Sequence, residues 1–452
     1  MSNSISVGYA RLDVTPPLGI LLAGHMAIRP ADGVLDPLEA CAIAIREGDK
    51  TVVLITVDHC GIVKPFIDNY RTAVAEASGI DIEGVYIHST HTHQGPLLTD
   101  HGQCENPLAK EYVVTLSRKL CDVARLAIAD LAPAKMGIGV GEAKNVAFIR
   151  RYRMKDGSAK TNPGVNNPDI VSSIGETDER VNVIRFDREG KETVVIGNFG
   201  NHPDVIGGCK LSADWPGLTR RMVEKCIEGT RCIFFNGAQG DVNHVNVHPK
   251  PGDFNDMFND FDGCSRGYGH SRHIARVVTA AIMTVYDKVE WQDDTTLRYM
   301  QKTIEIAANK GDPKDLPLAH KYHELHLAGR DDEIPYKAMM LTTIVAQSAR
   351  MVRLENGPDT FPLLLSAISI GDVAFFGIPG EPFTGIGRGI KEAEGYKMVL
   401  PTCQTNGKVG YFPMKDSYDE GGYEAGTSNF KAGSAERIIE EGLKVLDELK
   451  SK

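Results

Sequence analysis

The residues best suited to chemistry lie in the run Ile87-His88-Ser89-Thr90-His91-Thr92-His93-Gln94-Gly95-Pro96, which follows an apolar segment and ends in Gly-Pro. Residues two apart on a strand project to one face, so the spacing predicts His91 and His93 side by side at a strand end. Imidazoles at the mouth of a sheet suit zinc, which takes nitrogen, oxygen and sulfur ligands in a near-tetrahedral shell. A solvated cluster of surface histidines would give the same pattern. His202 holds an equivalent place in Asn198-Phe199-Gly200-Asn201-His202-Pro203-Asp204, again just past an apolar run. Strand ends feeding irregular loops are where α/β enzymes build sites, although a lone histidine there can equally serve a neighbouring turn. Glu381, in Gly377-Ile378-Pro379-Gly380-Glu381-Pro382-Phe383-Thr384, follows a third apolar run. It reads either as a metal-binding carboxylate or as an acid favoured in the first turn of a helix.

Three further segments carry weaker signals. Phe234 to Asn243 is a strand entering a Gly-rich turn whose backbone amides could face an oxyanion. Tyr411, Tyr418 and Tyr423 place three phenols in a polar, Gly-rich stretch. His320, His323 and His326 sit among Lys and Glu; the first two share a helix side and the third drifts from it, which predicts a solvated face.

The elements that must position these residues alternate in type. Strand-like runs recur at Val52 to Val57, Gly84 to Ser89, Val194 to Phe199, Cys232 to Asn236 and Ala367 to Gly377. Helical period appears from Tyr112 to Leu131, with Val113, Leu116, Leu120, Ala124, Ala127 and Leu131 on one stripe, and again over Leu218 to Ile227 and Ile274 to Val285. A last helix starts near Ser434, a suitable N-cap. The pattern predicts an α/β core in one catalytic domain over residues 1–452. A polar surface loop is expected from Arg150 to Glu179, and a helical insertion around 309–355.

A net charge of -10, from 50 basic and 60 acidic side chains, argues against nucleic acid as a partner. No apolar run approaches the roughly 20 residues a membrane span requires. The first residues lack a basic, then apolar, leader. Nine cysteines without a close pair or a C-x-x-C spacing read as buried thiols in a reducing compartment. A cytoplasmic location is therefore expected, and nothing in the sequence sets the oligomeric state.

Taken together the segments resemble the neutral, non-lysosomal ceramidases. The matching pieces, in the family's order, are Gly8-Tyr9-Ala10-Arg11-Leu12-Asp13-Val14-Thr15-Pro16-Pro17, Thr90 to Pro96, and Asn201-His202-Pro203 with Ser212-Ala213-Asp214-Trp215-Pro216-Gly217. Gly237-Ala238-Gln239-Gly240-Asp241-Val242, Pro379-Gly380-Glu381 and the Gly410-Tyr411 to Tyr423-Glu424 segment complete the set. The resemblance implies a large αββα-like domain of stacked mixed sheets flanked by helices. It also implies one zinc ion per chain held by His91, His202, Glu381 and Tyr411, with His93 in proton transfer. Arg150, with Arg151 adjacent, is the best match to a substrate-binding arginine, and Tyr423 would donate a hydrogen bond over the site. The implied reaction is hydrolysis of an N-acyl amide of a small molecule by metal-activated water. The same site could instead serve a lactone, an ester or a phosphoester, or a non-catalytic metal- or ligand-binding protein. The chain departs from the family at Asn243, where members carry a serine, which argues against a covalent serine mechanism. It also leaves no room for the family's C-terminal immunoglobulin-like domain, and the missing export signal points away from ceramide itself.

Overall fold

The computed structural model describes residues 5–98, 107–253, 257–259 and 264–452. Eight strands supply the main ladder: β1 (Ile5–Asp13), β2 (Glu39–Glu47), β3 (Lys50–Val57), β4 (Val85–Ser89), β5 (Ala132–Glu142), β6 (Arg180–Arg188), β7 (Thr193–Phe199) and β8 (Thr230–Asn236). Among the described residues they form a sheet ordered β8-β7-β6-β5-β1-β2-β3-β4, with the short Glu290–Trp291 added on β5. Its two edge pairs, β3–β4 and β7–β8, are parallel. A second sheet runs β9 (Leu297–Ala307), β10 (Thr360–Ile370), β11 (Val373–Gly377) and β12 (Met398–Thr402), its last pair again parallel.

Strand alternation sets the layering. Ile43, Leu54, Phe235 and Ile196 of the large sheet face Ile368, Phe375 and Leu400 of the second, forming one core between the sheets. The alternate residues Ala42, Ala44, Val53 and Ile55 pack on helices α1 (Phe66–Ser78) and α2 (Pro107–Ala129). Phe234, Val183 and Val195 pack on α3 (Asp214–Cys226) and α4 (Tyr268–Tyr286). The helical pair α5 (Leu316–Leu327) and α6 (Ala338–Leu354) lies between β9 and β10, inside the expected insertion. On the outer face of the second sheet, Phe376, Leu365 and Val399 meet α7 (Thr384–Ile390) and the last helix, Ser434–Lys450. The result is helix, sheet, sheet, helix. It is the αββα arrangement, and each fully buried Leu, Ile or Phe adds about 1.5–3 kcal/mol.

Three local expectations give way. The apolar run Ala367 to Gly377 is a hairpin, because Gly371 turns at φ +55 between β10 and β11. Residues 150–179 carry three short strands, Arg151–Met154, Ala159–Thr161 and Ile170–Ser173. Their polar sequence reads as loop because its apolar packing is small, Tyr152 and Met154 against Val247, while Arg150, Arg151 and Thr161 are buried polar residues. The last helix is entered through Gly433 at φ +94, so Ser434 is its first residue and not its cap. No helix of the described residues is long and apolar enough to cross a membrane.

The large sheet curls until its edges meet. The Asn236 amide of β8 donates to His88 Nε2 of β4 (3.0 Å), and His88 Nδ1–H donates to Cys403 O (2.7 Å). Segment 403–406, which follows β12, wedges into the remaining gap: Cys403 N–H donates to Asn236 O, Ser89 N–H to Gln404 O, and Asn406 N–H to Ile87 O. Below this seam Arg220 of α3 makes a bidentate pair with Asp58 at the end of β3 (3.0 and 2.6 Å), both fully buried. Replacing Arg220 by Met strands that carboxylate, and the expected loss is about 3–5 kcal/mol, read as a lower urea midpoint. An unchanged midpoint would show that the pair does not hold the two edges together.

Candidate metal centre

Four side chains from three distant segments meet where the sheet edges close. His91 Nε2 lies 3.2 Å from His202 Nε2, 3.3 Å from His93 Nε2 and 3.2 Å from Glu381 Oε2. His202 Nε2 is 3.7 Å from the same carboxylate oxygen. All four residues are buried. The tautomers follow from the outer nitrogens: His91 Nδ1–H donates to Cys60 O (2.6 Å) and His202 Nδ1–H to Gln239 O (3.0 Å). Both Nε2 lone pairs therefore face the centre. Glu381 Oε2 is buried and accepts no hydrogen bond. Converging lone pairs around an unsatisfied carboxylate oxygen are repulsive unless a cation sits among them, and backbone-anchored imidazoles are how metal-binding histidines are held.

With no ion in the pocket, a proton on His91 would take the place of the cation. Burial works against charge on His91, but Glu381 and then Cys60 outweigh it and raise its pKa to about 10. Burial, then Arg150 and His91, push His202 down to about 3. Burial opposes charge on Glu381 too, yet His91 and His202 hold it well below the usual carboxylate range. One positive charge beside the carboxylate is what this pocket demands.

Local structure explains the convergence, and not by strand period. β4 ends at Ser89, and His91 adopts φ +73, so a left-handed turn brings the His91 and His93 rings together beyond the strand. His91 N–H donates to His59 O and His93 N–H to Pro203 O, which ties the two histidine loops to each other. Asp214, itself at φ +51, shapes the His202 loop by accepting from Val205, Ile206 and Trp215 N–H groups and from Ser271. Burial raises its pKa to about 6. Glu381 pairs with Tyr411 in a short parallel bridge. Tyr411 meets Tyr423 edge-on at 5.7 Å between ring centres, and the Arg150 guanidinium lies 5.5 Å from the Tyr411 ring centre. Burial and then Glu381 push the Tyr411 hydroxyl upward, with Arg150 opposing.

The two arginines separate cleanly. Arg150 faces Tyr411, whereas Arg151 anchors the segment before Tyr423 through Ser417, Glu420 and Gly421. Asn243 is spent locally, donating to Asn162 Oδ1 and accepting from Val245 N–H. The Gly-rich turn does not offer its glycine amides to an oxyanion: Gly237 N–H donates to Phe199 O and Gly240 N–H to Pro382 O. Its glycines serve close approach, since a Cβ on Gly240 would lie 2.5 Å from Glu381 O. His320 and His326 pair with Glu355 and Asp331 on the insertion surface, as a solvated face should.

Cys60, His91 and His93 form a second group close enough to share an ion. That grouping conflicts with His91 Nδ1 donating to the Cys60 carbonyl, and Lys408 Nζ already stands 3.4 Å from the thiol. Cys60, Gln239, Asp58 with Arg220, and Gly24 all shape the site without a chemical signature in the sequence. Only Gln239 and Asp214 lay inside recognisable runs.

No protein-family model matches the chain, and no curated protein matches it. Solved structures do. A neutral ceramidase from Pseudomonas aeruginosa superposes with a TM-score of 0.72 at 17% identity, covering 100% of this chain and 75% of that one. A ceramidase complexed with C2 gives 0.69 at 16% identity, covering 98% and 75%. The fold is that of the neutral ceramidases. On this fold His91, His202 and Glu381 lie close enough together to hold one ion.

Saturating the protein with a divalent cation at about 1,000 times its Kd should add about 4 kcal/mol of apparent stability. Thermal unfolding with and without chelator measures this. Glu381→Gln should remove the increment; a variant that keeps both the increment and one equivalent of metal would refute the ligand set.

Proposed function

We propose that this chain is a zinc-dependent hydrolase of N-acyl amides, with one ion held by His91, His202, Glu381 and Tyr411. The observation that carries the reading is the convergence of two anchored Nε2 atoms on the unsatisfied Glu381 oxygen. A bound zinc would supply Lewis acidity, polarising a carbonyl and lowering the pKa of water from about 15.7 towards roughly 7. Amide chemistry is supported by the names of the structural neighbours, both ceramidases.

The remaining roles fall to the chain's own side chains. His93 presents Nε2 to the same centre, and its Nδ1 has no hydrogen-bond partner. Burial and then His91 hold its pKa well below the usual imidazole range. Its place beside the ligands makes it the side chain to take a proton and return it to the leaving nitrogen, without which an amide expels its amine poorly. Tyr423, half-buried beside Tyr411, lends a phenol to the substrate carbonyl. Arg150 steadies Tyr411.

A strap braces His93. Gly24, at φ +90, lies against the imidazole so closely that a Cβ would fall 2.3 Å from its Cγ. Arg29 ties the strap to the His93 and Ala23 carbonyls, and Met26 packs into the apolar cluster of the helical pair, with Tyr322 and Leu325. Gly24→Ala should therefore tilt His93 and spare the ligands. Expected is a loss of about 100-fold or more in kcat with one zinc retained. Loss of the zinc as well would place His93 in the ligand shell.

A panel of N-acyl amides, lactones, esters and phosphoesters, each with and without chelator, tests the reaction class. Chelator-sensitive turnover of amides is expected. Turnover confined to esters or phosphoesters would overturn the amide assignment, and a fully loaded protein inert on every substrate would favour a binding protein.

A further inference from the structure

We infer that Glu424 is a positioning residue that acts on the metal centre through Arg150. The inference rests on the ligand set proposed above. Glu424 is fully buried and belongs to the short helix Tyr423–Thr427. Its Oε1 accepts from Arg150 Nε at 2.6 Å, its Oε2 accepts from Thr161 Oγ1 at 2.8 Å, and Arg151 Nε stands 3.9 Å away.

What Arg150 does with its other end gives the carboxylate its purpose. Arg150 Nη2 donates to Gly240 O at 2.8 Å, and the guanidinium lies 5.5 Å from the centre of the Tyr411 ring. Gly240 follows Gln239, whose carbonyl holds His202 Nδ1–H, and Gly240 N–H donates to Pro382 O beside Glu381. One guanidinium thus touches Tyr411 and the Gln239-Gly240 turn, and that turn in its own right holds His202 and bonds to the segment of Glu381. Because the guanidinium is a rigid planar fork, fixing Nε fixes where both Nη atoms point. Glu424 sets the plane; Arg150 transmits it.

Charge supports the same role. Arg150 is itself buried. Alone it would put a full positive charge close to a divalent cation, in a setting where such repulsion is poorly screened. Paired with Glu424 it keeps its hydrogen-bond donors and adds no net charge.

A residue acting only through Arg150 must lose its effect once Arg150 is gone. The test is a cycle of Glu424→Gln, Arg150→Gln and the double variant, with Co2+ titrated into each metal-free protein and followed by its visible absorption. Each single variant should bind Co2+ at least tenfold more weakly than wild type, and the double variant should bind no more weakly than Arg150→Gln alone. Glu424→Gln strands a buried guanidinium and can prevent folding. Arg150→Gln in turn leaves the buried Glu424 carboxylate with only Thr161 and, at 3.9 Å, Arg151 Nε. The double variant is free of both defects, so its binding Co2+ no more weakly than folded Arg150→Gln, together with the charge-conserving Glu424→Asp, carries the test. Glu424→Asp, which keeps the charge but withdraws it by one methylene, should fall between wild type and Glu424→Gln. Additive losses in the double variant, or wild-type affinity in Glu424→Gln or Glu424→Asp, would overturn the inference. Failure of the wild-type chain to bind one equivalent of Co2+ would instead overturn the metal centre, so the two failures are told apart.

Discussion

The structure turns on a carboxylate oxygen that has no hydrogen bond. Glu381 Oε2 is buried against His91 and His202 Nε2, each with its lone pair turned inward by a backbone carbonyl behind it. Taking an ionised carboxylate out of water costs several kcal/mol unless an opposite charge is supplied. A protein that places three such atoms within 3.2–3.7 Å of one another has built the surroundings of a cation.

Bringing those atoms together is the task of the large sheet. His91 and His202 follow β4, one edge of the large sheet, and β7, the strand beside the other edge, and Glu381 follows β11 of the second sheet. All three strands belong to parallel pairs, and the carboxyl ends of parallel strands are where open α/β sheets leave a crevice. The edges meet only because His88, Asn236 and segment 403–406 exchange hydrogen bonds across the gap, with Asp58 and Arg220 closing the layer beneath. The centre is therefore a consequence of sheet curvature, and the helical pair reaches it through Met26 and the strap on His93.

Much of this was legible in the sequence, for identifiable reasons. The apolar runs Val52 to Val57, Val194 to Phe199 and Cys232 to Asn236 are strands because both faces are covered, so polar residues are few and fall near their ends, at Thr56, Asn198 and Asn236. The half-exposed strand Ala132–Glu142, with Pro133, Gly137, Gly139 and Gly141 in place of a continuous apolar run, gives no such signal. His91, His202 and Glu381 stood out because metal chemistry uses those side chains. His91 and His93 were paired by a strand rule that does not apply, since the turn at His91 joins them. Cys60 and Gln239 act through backbone carbonyls, which have no sequence signature, and Glu424 acts only through a contact 274 residues away in the chain.

X-ray absorption at the zinc edge, on protein loaded with one equivalent, addresses the central claim most directly. The account predicts a shell of nitrogen and oxygen alone at about 2.0–2.2 Å, with the outer-shell scattering of two imidazoles. A sulfur shell at about 2.3 Å, from Cys60, or the signature of a third imidazole, from His93, would contradict it.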